Sequence, residues 1–258
     1  MLEHVGRSIL TQLGNVGRLT LFTGQAFGTT ALPPYRVAET IRQMWLVGVR
    51  SLPIASLTAL FIGMVMVLNT GYQLQQFGAK LYSAGITIVA LTREMVPTFT
   101  AIVVGARVAA SMTAELGTMK ITEQFDAMQA LAVNPVSYLV VPRLVATTIM
   151  LPVVTMYANV VGFFGGFIVG VSALNISPKM YLNNTMKFLQ MSDLYTGLLK
   201  AVFFGVIIGI VGCYFGFRTR GGAQGVGQAT TTSVVTTLIL VVLFDFILGS
   251  WFLFLTGK

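Results

Sequence analysis

Residues 105–143 read GARVAASMTAELGTMKITEQFDAMQALAVNPVSYLVVPR, the longest moderately polar passage in a chain otherwise apolar enough for a bilayer. Its middle has the pattern of a short amphipathic helix. Thr122 is placed to act as N-cap, and Glu123 and Asp126 fall in the first turn, where the helix dipole favours negative charge. Ile121, Phe125, Met128 and Leu131 recur at spacings of four and three, which gives one apolar stripe. Asn134-Pro135 then closes the helix, because the residue before a proline is pushed out of the α region. A small helix held between two spanning segments, greasy on one face and acidic on the other, suits docking into a groove on another protein. It equally suits a loop helix lying on its own bundle.

The residues around this stretch set its context. The chain of 258 residues is 55% hydrophobic and only 9% charged, with a mean hydropathy of +0.82. Soluble domains carry about 25% charged residues, so composition alone predicts an integral membrane protein, and the apolar runs near twenty residues make it all-α. The 27 glycines suit helices that pack closely in lipid. The net charge of +8 comes without a basic cluster or interleaved aromatics, which points to positive-inside loops and not to nucleic acid. One cysteine, Cys213, lies in an apolar run, and one histidine, His4, lies near the N-terminus. Neither a metal site nor a nucleophilic triad can be assembled from them. The chain has no G-x-x-x-x-G-K-[ST] loop, so any ATP hydrolysis belongs to a partner and no cofactor is expected here.

Taken in order, residues 1–44 predict an interfacial amphipathic helix and a connector. Leu2, Val5, Ile9, Leu13 and Val16 share one side of a helical wheel, and Glu3, His4, Arg7, Thr11 and Arg18 share the other, as in a helix lying on an anionic leaflet. Nothing there resembles a secretory signal, and Pro33-Pro34 breaks the chain before it re-enters. Residues 45–258 then form a transmembrane domain with spans at about 45–70, 81–106, 140–172, 198–217 and 231–255. Asn69-Thr70-Gly71-Tyr72-Gln73 is polar enough to end the first span or to line a wet cavity. The charge-free run Leu144–Pro178 exceeds the roughly 20 residues needed to cross. Within it, Pro152 and the Gly162, Gly165, Gly166 cluster predict a kink and close helix contacts. Residues 175–197 read as a small extramembrane segment with local helix. Gly221–Gly227 reads as a flexible connector.

Five crossings put the two ends of the domain on opposite sides. With the N-terminus in the cytoplasm, that side holds Arg7, Arg18, Arg36, Arg42, Arg50, Arg107, Lys120, Arg143, Arg218 and Arg220, which is ten cations. The opposite side holds five, Lys80, Lys179, Lys187, Lys200 and Lys258. The bias places residues 105–143 in the cytoplasm and the C-terminus outside. Arg93, Glu94 and Asp245 are then the ionisable groups within the predicted spans. A central charge costs about 2.5–3.5 kcal/mol on insertion scales, so each needs protein, water or a partner. Arg93 lies roughly 18 Å along its helix from Leu81 and Asp245 roughly 15 Å from Leu255. Matching depths predict an Arg93–Asp245 pair, with Glu94 rotated by about 100° and free to face a cavity. These charges either tie helices together or sit beside the path of a polar headgroup.

Several short runs carry a resemblance. Glu115-Leu116-Gly117, Met119, Thr122-Glu123-Gln124, Ala127-Met128 and Val133-Asn134-Pro135 resemble the signature of MlaE-type permeases. Arg93-Glu94 followed by Pro97 resembles that family's second-helix motif, and the likeness extends from about Trp45 to the C-terminus. MlaE-type permeases are the membrane subunits of ABC systems that move phospholipid between the two membranes of Gram-negative bacteria, maintaining outer-membrane asymmetry; chloroplasts carry relatives. One departure is Asn134, where many members have Asp, which removes a charge from the docking surface.

The resemblance implies a bacterial inner-membrane location and a coupling set of Glu115, Gly117, Met119, Thr122, Glu123, Gln124, Phe125, Ala127, Met128 and Pro135. It also implies three partners: a cytoplasmic ATPase dimer that binds ATP and Mg, a small cytoplasmic accessory protein, and a periplasmic ring of mammalian-cell-entry domains. Five helices enclose little alone, so a second copy is expected to complete a lipid cavity at a two-fold interface. By resemblance and position, Met64, Leu68, Tyr72, Leu74, Val242 and Phe246 line it, with Arg93, Glu94 and Asp245 nearby. The competing reading is a secondary transporter coupled to protons through Glu94 or Asp245. An intramembrane enzyme is disfavoured because no nucleophile–base set is visible.

Overall fold

The computed structural model describes residue 14, residues 17–29 and residues 36–256. The N-terminal stripe from Leu2 to Val16 and the break at Pro33-Pro34 lie outside the described residues. Among those described there is no strand, and five helical stretches are long and apolar enough to cross a membrane. The expectation of an all-α, multi-pass membrane protein therefore holds.

The chain runs α1 (residues 17–29), α2 (Val37–Val47), α3 (Leu52–Gln75), α4 (Ser83–Ala90), α5 (Val96–Ile121), α6 (Gln124–Ala130), α7 (Val141–Ser172), α8 (Pro178–Phe188), α9 (Met191–Phe217) and α10 (Gly222–Thr256). Two of the spans contain a π-helical turn, Leu91–Met95 between α4 and α5 and Val136–Val140 before α7. Each lies just ahead of a proline at the second position of the next helix, Pro97 or Pro142. A proline has no N–H to give and its ring presses on the carbonyl four residues back. Widening the preceding turn relieves that clash while the helix continues.

Small residues decide which helices touch. On α3 the buried positions are Ala55, Ala59, Gly63, Val67 and Gly71, one every fourth residue and therefore one stripe. That stripe lies along α7, the closest packing partner of α3. A Cβ at Gly63 would stand 1.9 Å from the carbonyl oxygen of Gly162, so the two backbones meet there as in other close lipid-phase crossings. The outer faces of both helices carry large apolar groups, Leu57, Phe61 and Val65 on α3 and Val153, Val160 and Phe164 on α7. α5 packs against both α9 and α10, and its buried residues Ala101, Val104, Val108 and Met112 join Phe204, Ile208 and Val241 in the main core.

Several boundaries differ from the sequence expectation. α3 continues to Gln75, so Asn69–Gln73 is helical rather than an end to the span. α9 begins at Met191, two turns before its apolar run, because Gln190 and Asp193 form a reciprocal capping box. The glycine run 221–227 is not a connector: Gly221 and Gly222 take positive φ and the rest is the first turn of α10. Residues 37–47, within and just beyond the predicted connector, form α2, which packs on α7.

Candidate functional site

The π turn Leu91–Met95 presents its charges toward α9 and α10. The Arg93–Asp245 pair expected from matching depths is not made. Instead Lys200 of α9, fully buried, stands between two carboxylates. Its ammonium donates to Asp245 Oδ1 at 3.1 Å and to Glu94 Oε2. Arg93 turns the other way, with Nη1 4.0 Å from Asp193 Oδ1 and with Nη2 buried and without a hydrogen-bond partner among the described residues. Asp193 also accepts the backbone N–H of Gln190 at 3.1 Å, so one carboxylate both caps α9 and faces Arg93.

Lys200 and Asp193 are the residues that the sequence reading missed. Counting Lys200 as an outer-side cation depends on starting the span at residue 198. From Met191 it lies about 14 Å into the helix, and the Gln190–Asp193 box is the signal that places it there. Backbone packing fixes the cluster from both sides. A Cβ at Gly197 would meet the Thr92 carbonyl oxygen at 2.2 Å, and one at Gly249 would meet Lys200 Nζ at 3.3 Å. Glycine at these positions lets α9 and α10 close on the π turn. Glu94 and Asp245 keep 37% and 23% of their side chains exposed. The cluster is thus buried at its lysine and open at its carboxylates.

The apolar residues assigned to a cavity lie on two separate helices. Met64, Leu68 and Tyr72 recur every four residues on α3, the first two half-buried and Tyr72 exposed, whereas Leu74, half-buried two residues on, lies about 200° round the helix from Tyr72. On α10, Val242 and Phe246 are exposed one turn apart, flanking Asp245. α3 and α10 both pack on α5 but share no substantial packing with each other. The face bearing Met95 of the π turn and Phe99 and Ile102 of α5 remains partly open.

At the opposite end of α5 lies the loop helix. The helix begins at Gln124 and ends at Ala130, shorter than the stripe from Ile121 to Leu131 suggested, because α5 itself continues to Ile121. Gly117 and Met119 therefore belong to α5, as does Glu115. Thr122 is not the N-cap: its hydroxyl donates to the Thr118 carbonyl at 2.9 Å and closes α5. Glu123, at φ +61°, turns the chain and occupies the cap position of α6. Phe125 is buried, with its ring 4.5 Å from that of Phe217 in α9, and Met128 packs partly beside it. Leu131, the fourth residue of the predicted stripe, is 78% exposed. The face that α6 offers outward carries Glu123, Gln124, Ala127 and Leu131. Pro135 is buried, and Asn134 Oδ1 accepts the Val136 N–H at 2.9 Å. Asparagine thus supplies the same acceptor that an aspartate would.

The two arms holding α6 are tied by charge. Arg143 at the start of α7 is 2% exposed, and its Nη2 stands 3.0 Å from Glu115 Oε2 on α5. Its Nη1 donates to the Leu139 carbonyl at 2.8 Å, across the second π turn. Arg107 donates to Ser51 Oγ at 2.6 Å, which joins α5 to the turn ahead of α3.

A five-span bundle with buried charge in the membrane and a loop helix anchored between two spans is the architecture of a transporter's membrane subunit. The MlaE permease family matches residues 40–251, and the chain belongs to that family. It is 41% identical to a probable ABC transporter permease of Synechocystis sp. (strain ATCC 27184 / PCC 6803 / Kazusa) over 90% of this chain and 88% of that protein. It is 37% identical to a probable ABC transporter permease of Rickettsia typhi, covering 95% and 94% of the two chains. A third relative is Protein TRIGALACTOSYLDIACYLGLYCEROL 1, chloroplastic, of Arabidopsis thaliana, 33% identical over 83% of this chain and 61% of that one. The chain is therefore an ABC transporter permease and a multi-pass membrane protein, and its class implies a separate ATPase.

Proposed function

We propose that this permease moves phospholipid, with two copies enclosing the path and with α6 receiving the ATPase stroke. The observation that carries the reading is the open side of α5. Apolar faces on α3 and α10 flank it, and the Glu94–Lys200–Asp245 cluster interrupts that apolar surface with charge. An acyl chain suits the apolar faces and a polar headgroup suits the carboxylates, which keep partial exposure. The name of the Arabidopsis relative contains a galactosylated diacylglycerol, which supports a two-tailed glycerolipid as substrate though not the phosphate headgroup. A second copy is the natural cover for this face, since one bundle leaves Val242 and Phe246 exposed beside a charge.

In this reading the family's system maintains outer-membrane asymmetry from the bacterial inner membrane. Its partners are an ATPase dimer holding ATP and Mg, a small accessory protein and a periplasmic mammalian-cell-entry ring. The N-terminus and α6 face the cytoplasm, where the basic residues concentrate. The test is reconstitution of the permease with its ATPase in vesicles carrying labelled phospholipid. Lipid movement should require ATP hydrolysis and should ignore an imposed pH gradient. Movement driven by the gradient without ATP would instead support the proton-coupled alternative through Glu94 or Asp245. In a Cys213→Ser background, cysteines at Val242 or Phe246 should form disulfide-linked dimers in the membrane. Monomers throughout would count against the shared cavity.

A further inference from the structure

Away from the face that α3 and α10 flank, a cleft of about 300 Å³ lies between three of the spans at the α8 end of the bundle. Ile88 of α4 and Thr92 of the π turn line one side, Met156, Val160 and Phe163 of α7 another, and Leu194 of α9 a third. Leu182 and Met186 of α8, with Leu189 just after it, form the roof. None of these residues belongs to α3 or α10, so the cleft is separate from the path proposed above and does not depend on it.

The pattern of α8 places the roof. Tyr181 and Thr185 are buried and Phe188 is half-buried, one stripe packed on the bundle. Lys179, Asn183 and Lys187 recur every fourth residue as an exposed stripe. Leu182, Met186 and Leu189 fall between the two, about 100° round from each. A helix that is apolar on two sides and basic on the third lies in the membrane interface, with its lysines reaching water. Asn184 ties it to the start of the second span by donating to the Leu81 carbonyl at 2.7 Å. α8 rests on α7 at the level of Gly166 and Gly170, where an added Cβ would run into Tyr181. Met156 is ten to fourteen residues from that level, about 15–21 Å along the helix, and half of a hydrocarbon core is about 15 Å. The cleft therefore reaches from the interface to the middle of the bilayer.

Its lining selects for hydrocarbon. No charged side chain is found among the described lining residues. Thr185 spends its hydroxyl on the Tyr181 carbonyl at 3.0 Å, Asn159 keeps its Oδ1 buried, and Thr92 is 2% exposed. A polar ligand would lose its water partners there and gain none. Met156, Val160 and Met186 are exposed at the open side, which at this depth on a spanning helix faces lipid. We propose that the cleft binds one acyl chain of a phospholipid from the leaflet at the α8 end, with the headgroup level with α8. Two methionines in the lining suit chains of differing shape. A chain seated there packs on Thr92 and so backs the π turn that carries Arg93 and Glu94.

The experiment places the full chain in phosphatidylcholine nanodiscs doped with phosphatidylcholine that carries a diazirine near the end of one chain. Crosslinks are mapped by peptide mass spectrometry. The outward face of α3 over 57–65, with Leu57, Phe61 and Val65 exposed, is the reference for ordinary lipid contact. Label per residue over 156–163 and 182–194 should exceed the reference. Leu182→Trp fills the cleft from a partly open position and should cut the cleft-to-reference ratio about fivefold, equivalent to about 1 kcal/mol. Leu182→Ala changes the same residue but leaves the space open and should retain the label, which separates blocked binding from lost fold. The same lipid with its photoactivatable group on the headgroup should label 179–187 and spare 156–163. A cleft label no stronger than the reference overturns the proposal, as does a ratio unchanged in Leu182→Trp. Headgroup label over 156–163 overturns the assignment to a chain. Loss of the label when the permease is assembled with the transporter's other subunits would put a protein segment in the cleft and would also overturn it.

Discussion

Replacing Lys200 with methionine removes the cation that holds Glu94 and Asp245 together, and its effect can be worked out from their surroundings. The lysine is fully buried, while the carboxylates keep 37% and 23% exposure. Breaking a buried pair typically costs about 3–5 kcal/mol because a lone charge remains. Partial access to solvent puts this case at the lower end, about 3 kcal/mol. At about 2–4 °C per kcal/mol for a chain of this size, Lys200→Met should lower Tm by about 6–12 °C in detergent. Asp245→Asn should cost less than half of that, because Lys200 keeps Glu94. The triple variant Lys200→Met, Glu94→Gln, Asp245→Asn carries no lone charge and should recover at least half of the single loss. The assay is thermal unfolding of purified protein followed by intrinsic fluorescence, with membrane yield as a second readout. A Lys200→Met protein as stable as the parent would refute the reasoning. So would a triple variant whose loss equals the sum of the three single losses.

Other substitutions probe the rest of the bundle. Gly63→Ala should destabilise by more than about 2 kcal/mol, since its Cβ would stand 1.9 Å from a backbone oxygen. Gly227→Ala, which meets nothing within 4 Å, should raise Tm slightly, by about 0.5–1 kcal/mol of helix preference; unfolding curves of the two variants check both. Phe125→Ala should cost about 3 kcal/mol locally and open residues 122–134 to limited proteolysis. Glu123→Lys, on the exposed face of α6, should leave the fold intact and weaken ATPase co-purification. Arg143→Met leaves as its lone charge Glu115, which is 41% exposed, whereas Glu115→Gln leaves as its lone charge an arginine that is 2% exposed. Glu115→Gln should therefore be the more damaging of the two, and equal Tm values would refute the asymmetry.

The five crossings are legible in the sequence because an apolar run near twenty residues has few stable places outside a bilayer. The existence of a helix around Ile121–Leu131 is legible for the same kind of reason, since Phe125 and Met128 keep helical spacing. Its bounds are not. Asn134-Pro135 is not what ends it: the helix stops at Ala130, and Ala132 at φ +58° turns the chain first. Nothing local tells Thr122 closing one helix from Thr122 opening the next, as the hydroxyl can serve either end. The distinction is made by Glu123, whose left-handed backbone leaves no mark in the pattern. Phe125 shows a related limit: an apolar stripe says that a face is buried but not against what. Here its ring lies on Phe217 of the same chain.

The misplaced charge partner has a more general cause. Projecting Arg93 and Glu94 around the helix at 100° per residue assumes an α-helix on both sides of them. The two residues lie within a π turn, where each revolution holds more residues and the projection no longer applies. Pro97 is the visible cause, and Pro142 has the same relation to the turn ahead of Arg143. In both spans a proline therefore acts upstream, on the turn that carries or adjoins a buried charge. At the first turn the result is that Glu94 meets Lys200 while Arg93 meets Asp193. At the second it lets Arg143 reach both the Leu139 carbonyl and Glu115. Reading a proline in a spanning helix as a kink alone misses this consequence. A charge within six residues ahead of it should be searched for partners all round the helix, and not only on the face that regular spacing assigns.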